Sequence, residues 1–228
     1  MLIDTHAHIT GPVSGVGKVI CVGTDLDDSQ KAIELAQKND NIFATVGIHP
    51  IDGVNSVADW NRFELLLKQP KVVGVGECGL DYHQGYDPRQ KPIFVSQLEI
   101  ARKFDLPLSI HIRDAWEEMK HVDISKNHGV FHCYSGTLEI PKNFYVSFAG
   151  NLTFRNAKNL QELAKQIPLG KILLETDSPY LAPEPIRGSQ NTPANVKIVA
   201  QKLADIKGLN LEDIEAATSR NATNLFNL

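Results

Sequence analysis

Lys18-Val19-Ile20-Cys21-Val22-Gly23, then the amphipathic stretch Leu26–Asn39, then Ile42-Phe43-Ala44-Thr45-Val46-Gly47 is the passage from which the fold can be read. The two short runs are dense in Val and Ile rather than strictly alternating, as expected of strands covered on both faces. The segment between them has the length and pattern of the helical crossover that joins parallel neighbours. The same unit recurs along the chain. Further strands are expected at Leu2–Asp4, Val72–Glu77, Leu106–His111, Gly129–Cys133, Phe144–Ala149 and Ile172–Asp177. Further helices are expected near Val57–Gln69, Pro92–Phe104, Asn156–Gln166, Pro193–Ile206 and Leu211–Phe226. Eight strands alternating with helices predict an α/β fold, a (β/α)8 TIM barrel, as a single domain over residues 1–228.

Two crossovers are too short for this pattern. Residues 5–17 contain Gly11-Pro12, Gly15 and Gly17, and Tyr134–Asn143 contains Gly136 and Pro141, both sets opposed to a regular helix. Barrels of this kind typically run to about 250 residues. The chain therefore reads as a trimmed barrel in which the helices after strands one and six are shortened or missing. The competing α/β arrangement, a doubly wound open sheet, lacks the glycine-rich nucleotide turn that would support it.

Composition narrows the function. With 228 residues, 42% hydrophobic, the chain can bury a large core. A net charge of −4 and a pI near 6.1 argue against bulk electrostatic coating of nucleic acid. They leave room for a nucleic-acid enzyme whose local positive charge comes from metal ions. Cys21, Cys78 and Cys133 form no CxxC and lie in β-like apolar runs, so reduced, buried thiols are expected. Alternation turns Cys133 away from His132, toward the helices. No apolar stretch approaches the roughly 20 residues of a membrane span, and no signal peptide is evident, so a cytoplasmic location is expected.

Function is written in where the polar residues fall. His6 and His8, in Asp4-Thr5-His6-Ala7-His8, sit at i and i+2 of an extended segment and aim to one side. His49, Glu77, His111, His132 and Asp177 likewise lie at or just past the C-terminal ends of strands, which in a barrel meet at one face. Imidazole mixed with carboxylate suits Zn²⁺, Mn²⁺ or a related divalent ion. A carboxylate such as Glu77 or Asp177 in an apolar run needs a cation or several donors to offset its desolvation. His49, before Pro50, reads as a loop residue or substrate contact rather than a ligand. His83, His121 and His128 read as surface residues.

These motifs, in order, resemble the TatD-type metal-dependent deoxyribonucleases of the amidohydrolase-like barrels. The matching segments are Asp4–His8, Val46-Gly47-Ile48-His49-Pro50, Gly76–Tyr82, Leu106–Ala115, His132-Cys133-Tyr134-Ser135-Gly136 and Leu174–Pro183. Arg187-Gly188, Asn191, Asn221-Ala222 and Leu225-Phe226 continue the match, so the resemblance covers nearly the whole chain. It implies His6, His8 and Asp177 at one metal, Glu77 bridging, and His111 and His132 completing a second. Ala7 replaces a cysteine usual in that family, at a position pointing away from the site.

The activity so implied is a metal-dependent deoxyribonuclease, an exonuclease using water activated by two divalent ions (Zn, Mg or Mn) about 3.5–4 Å apart. Asp177 would orient or deprotonate that water, with Glu77 as its catalytic partner. Arg113 and Arg187 are candidate phosphate contacts; for Arg113 the competing reading is an ion pair with Asp114 or another neighbour. Tyr82 and Tyr134 are candidates for stacking on a terminal base or for packing. Single-stranded DNA or chain ends suit an acidic protein better than internal duplex. The alternatives are an esterase deacylating aminoacyl-tRNA, and a metal-binding interaction protein without catalysis. Apolar surface left by the two missing helices could favour an oligomer.

Overall fold

The computed structural model describes residues 1–53, 59–136 and 139–228. Its eight strands are β1 (Ile3–Ala7), β2 (Lys18–Val22), β3 (Ile42–Val46), β4 (Val72–Asp81), β5 (Leu108–Arg113), β6 (Gly129–Phe131), β7 (Phe144–Phe148) and β8 (Ile172–Leu174). They form one parallel sheet in chain order, and a single bridge, Ala7 to Ser178, joins its first and last edges into a nearly closed barrel. The helices are α1 (Leu26–Lys38), α2 (Trp60–Leu67), α3 (Gln90–Phe104), α4 (Trp116–Met119), α5 (Lys158–Gln166), α6 (Val196–Lys207) and α7 (Leu211–Phe226).

Local chemistry explains the units. In α1 the Asp25 side chain caps the Asp28 N–H, Asp27 and Asp28 lie in the first turn and Lys38 in the last. Its buried residues Leu26, Ser29, Ala32, Ile33 and Ala36 follow the helical repeat and face the sheet. The strands are almost wholly buried, which accounts for their continuous apolar runs. Leu225 and Phe226 of α7 pack with Ile3, Ile20, Val130 and Leu173, sealing the barrel near the strand starts. Each of these two side chains contributes about 1.5–3 kcal/mol by leaving water, which anchors the last helix.

The helices after strands one and six are absent among the described residues, as expected. A third crossover is also trimmed: after β5 there is only the single turn α4. Trp116, against Phe131 and Tyr134, and buried Met119 and Val122 cover the strands there with a few bulky side chains instead of a long helix. Five strand C-terminal ends also differ from expectation by two residues or more. β1 runs on to Ala7, β4 to Asp81 and β5 to Arg113, while β6 stops at Phe131 and β8 at Leu174. The β4–β5 register shifts between Val75 and Cys78, so the extension of β4 lies across an irregularity that hydrophobic pattern does not reveal. α2 starts at Trp60, after an Asp59 cap; the expected start at Val57 lies outside the described residues. No helix among the described residues is long and apolar enough to cross a membrane.

One glycine helps to place Glu77. A Cβ on Gly47, at the end of β3, would lie 2.3 Å from the Gly76 carbonyl carbon and 2.4 Å from the Glu77 nitrogen. Glycine there lets the Glu77 backbone press against β3 and sets how far its carboxylate reaches over the barrel.

Candidate metal centre

At the strand C-terminal ends the Glu77 carboxylate is 3% exposed and ringed by imidazoles. Its Oε2 lies 3.2 Å from His6 Nε2 and 3.5 Å from His8 Nε2. Its Oε1 lies 2.8 Å from His111 Nδ1, 3.0 Å from His132 Nε2 and 3.5 Å from His49 Nε2. Asp177 Oδ1 stands 3.6 Å from His8 Nε2 and 3.9 Å from His6 Nε2. Seven residues singled out in sequence, from β1, β4, β5 and the segments after β1, β3, β6 and β8, thus meet at one point.

The outer ring nitrogens are held by different partners. His111 Nε2 faces Asp81 Oδ2 at 3.0 Å and His132 Nδ1 faces Glu175 Oε1 at 3.3 Å. Glu175 itself accepts from the Cys133 N–H (2.7 Å) and from Ser147 Oγ (2.5 Å). His6 Nδ1 meets the hydroxyl of Ser109 at 3.2 Å. His49 Nδ1 accepts backbone N–H bonds from Ile51 (3.2 Å) and Asp52 (3.3 Å). The carboxylates favour a proton on the outer nitrogens, through a hydrogen bond for His111 and through charge alone for His132, whose Nδ1 has no aligned hydrogen bond among the described residues; either ring then has a lone pair facing Glu77. For His49 the logic reverses. Two backbone N–H groups point at Nδ1, and a ring that accepts from them carries its proton on Nε2, toward Glu77. The Asp52 carboxylate, 3.2 Å from the same Nδ1, favours the opposite tautomer, and its own pKa is lowered first by this contact with His49.

Charge follows the geometry. Burial would raise Glu77, but His132, His6 and His49 hold it well below the usual carboxylate range. Burial would lower His132, yet the charges of Glu77 and Glu175 push it well above its ordinary value. His111 is likewise raised against burial, by bonds to Asp81 and Glu77. His6 is lowered, by burial and then by the charge of His132. Burial would raise Asp177, but the bond from His8 and nearby imidazoles keep it low. Beneath the site, complete burial pushes Asp4 up to about 8 despite bonds from the Thr176 hydroxyl and N–H.

The donor set fits divalent ions. Three overlapping groups (His6, His132, Asp177; His6, His8, Glu77; His49, Glu77, His111) each bring three donor atoms within 4.8 Å of one another. His6 Nε2 is buried with no aligned hydrogen-bond partner among the described residues, a polar atom that a cation would satisfy. Nitrogen and carboxylate oxygen are the donors that Zn²⁺ and its neighbours accept.

A family profile described as TatD related DNase matches residues 3–227. The chain belongs to the TatD-related family. An uncharacterized metal-dependent hydrolase of Bacillus subtilis, YabD, is 36% identical over 254 residues, covering all of both chains. The 3'-5' ssDNA/RNA exonuclease TatD of Shigella flexneri is 33% identical, over 94% of this chain and 89% of that protein. Among solved structures, the TatD homologue YJJV of Escherichia coli superposes with a TM-score of 0.88 at 28% identity, covering 100% of this chain and 98% of that one. A dihydroorotase, at TM-score 0.68 and 14% identity, covers all of this chain and 72% of that one, and shares the barrel. This TatD-related chain is accordingly a metal-dependent hydrolase.

The remaining candidates divide between the cavity and its surroundings. Arg113 lines the cavity over Glu77, about 550 Å³, and makes no ion pair among the described residues; Asp114 pairs with His83 instead. Arg187 does not line that cavity and stacks on Phe154, 4.1 Å from its centroid. Tyr134 is buried, 2% exposed, and packs; Tyr82 pairs edge-on with Tyr86. β6 ends before Cys133, which is partly buried, and its Sγ accepts from Asn151 Nδ2 in the helical turn after β7. The three cysteines are free. Sequence reasoning missed Asp81, Ser109 and Glu175. Glu175 had a signal, a carboxylate in an apolar run two residues before Asp177. Tyr180 was also missed; it is 63% exposed, edge-on to His8 at the cavity rim.

Proposed function

We propose that the chain is a phosphodiesterase that removes nucleotides from the ends of single-stranded DNA. The observation that carries this reading is Glu77, whose two oxygens each face a separate group of imidazoles in a cavity rimmed by the Arg113 guanidinium. Two divalent ions of the Zn, Mg or Mn class would be held there, one by His6, His8 and Asp177, the other by His111 and His132, with Glu77 shared. Bound there, they would supply positive charge for the developing phosphorane and acidify water. The Shigella relative's name, an exonuclease on single-stranded DNA and RNA, supports the substrate class.

The chain's own groups have distinct tasks. Asp177, kept ionised, orients the attacking water and accepts its proton on the carboxylate oxygen not turned to His6 and His8, and the proton ends on the sugar oxygen released as the P–O bond breaks. Arg113 holds a non-scissile phosphate through its planar fork. His49 donates from Nε2 to a phosphoryl oxygen in the tautomer that the Ile51 and Asp52 N–H groups favour, and is not assigned to either ion. Arg187, stacked on Phe154, would meet only phosphates farther along the strand.

The test is release of nucleotides from 3'- and 5'-labelled single-stranded DNA with Mg²⁺, Mn²⁺ and Zn²⁺, wild type beside Asp177→Asn. Stepwise release, lost on chelation and reduced on the order of 10²–10⁴-fold in the variant, is expected. Bound metal with intact DNA would reject this reading and move the aminoacyl-tRNA ester to the front.

A further inference from the structure

Beside the metal cavity lies a second one, about 490 Å³, which shares His8 with it. The two differ in charge. The first is lined by Asp28, Asp52, Asp81, Asp177 and Arg113 as well as Glu77. Apart from His8, no titratable side chain lines the second among the described residues. Its walls come from the β1–β2 connection, with Thr10, Pro12 and Ser14, and from the loop after β8, with Gln190, Asn191 and Pro193.

This cavity exists because the first crossover lacks a helix. Residues 8–17 fold instead as a loop tied down at several points. Cys21 Sγ donates to the Ile9 carbonyl, and Gly17 N–H donates to the Leu2 carbonyl. Gly15, at φ +75°, brings the loop against the far wall, where its Cβ would lie 3.2 Å from that of Ala194. The far wall is held by Asn191, whose amide donates to the Thr176 and Tyr180 carbonyls and accepts from Thr192 N–H and Asn195 Nδ2.

Against these committed groups stand uncommitted ones. The side chains of Thr10, Ser14 and Gln190 make no hydrogen bond among the described residues, and the Ser178 hydroxyl is buried in the same wall without a partner among them. Hydroxyls and a carboxamide both donate and accept, which suits the mixed edge of a nucleobase and a sugar hydroxyl. Ile9, Pro12 and Pro193 add apolar surface for a flat ring. The volume lies within the roughly 300–1,000 Å³ common for small-molecule sites. A phosphate would find no cation here beyond His8, so a second charged group is disfavoured.

We propose that this neutral cavity is a nucleoside subsite, receiving the uncharged base and sugar next to the phosphate over Glu77. The assignment rests on the phosphodiesterase reading for the bond that is cut. It makes the trimmed crossover a recognition element and gives the enzyme a grip on one nucleoside at the reacting bond.

The experiment pairs binding with turnover. Backbone amide resonances of the metal-loaded protein are followed during titration with thymidine and with deoxyadenosine, which carry no phosphate. KM and kcat are measured on the dinucleotide thymidylyl-thymidine. Gln190→Trp fills the cavity from an exposed position, and Ser14→Trp does so from the opposite wall; thermal melting reports whether each variant folds. Shifts at Thr10, Ser14 and Gln190, abolished by either variant, are expected, with KM for the dinucleotide raised about tenfold or more. Shifts confined to residues around Arg113, no shifts at all, or folded variants with unchanged KM would overturn the subsite. Nucleoside shifts in a wild type that cleaves no dinucleotide under any metal would overturn the phosphodiesterase reading and leave the subsite standing.

Discussion

The two sides of the Glu77 carboxylate are built differently. Around Oε1, the outer nitrogens of His111 and His132 are backed by the carboxylates Asp81 and Glu175. Around Oε2, the outer nitrogen of His6 meets only the neutral hydroxyl of Ser109 among the described residues. His111 and His132 are accordingly raised in pKa while His6 is lowered. His8 is the exception on the Oε2 side, raised by its contact with Asp177 against the effect of burial. A backing carboxylate makes an imidazole a better donor, but it also makes protons stronger competitors for the same lone pair. The two sides should thus differ in how they hold metal.

The largest expected effect comes from removing what the sides share. Glu77→Ala should lose metal on both sides and lower hydrolysis on the order of 10³-fold or more; metal content by elemental analysis, beside activity, checks it. Full metal content in this variant would remove Glu77 from its bridging place. Next come the backing groups. Glu175→Gln or Asp81→Asn should weaken metal binding on the Oε1 side about 10–100-fold, and Ser109→Ala should do less. Titration with a chromophoric chelator resolves the two affinities; equal losses would dissolve the distinction between the sides.

The smallest effect is on stability in the absence of metal. Glu77 lies below its ordinary 4.5, so its pairing stabilises fully above about pH 4.5 and is lost as pH falls through its depressed folded value. His132 lies above its ordinary 6.5, so its contribution is complete below about pH 6.5 and disappears as pH rises through the raised value. Asp4, carrying its proton up to about 8 in the fold, changes in the same direction as pH rises. Chelated protein should therefore melt lower at about pH 8.5 than at about pH 6, and added metal should shrink or reverse that difference. Scanning fluorimetry across this range measures it; a chelated protein more stable at the higher pH would contradict the charge assignment.

Legibility in the sequence differed from residue to residue. His6, His8, His111, His132 and Asp177 were readable because each stands at the end of an apolar run, and a parallel barrel gathers such ends on one face. Glu77 was readable because a carboxylate in Gly74-Val75-Gly76-Glu77 has no apolar reason to be there. Asp81 and Ser109 were not, since a residue that braces an imidazole across two strands leaves no local pattern. Arg187 carried the right chemistry on the right loop, yet Phe154, 33 positions earlier in the chain, provides its resting place.

Barrel class, strand order, two of the three trimmed crossovers and the set of residues crowding Glu77 come from the chain's own periodicity and motifs, because these are set by spacing within single elements. Tautomers, the backing of each imidazole, the elevated pKa of Asp4 and the neutral cavity beside His8 depend on atoms brought together from distant strands. Hydrogen bonds and desolvation act over a few ångströms in space, and distance along the chain does not encode them.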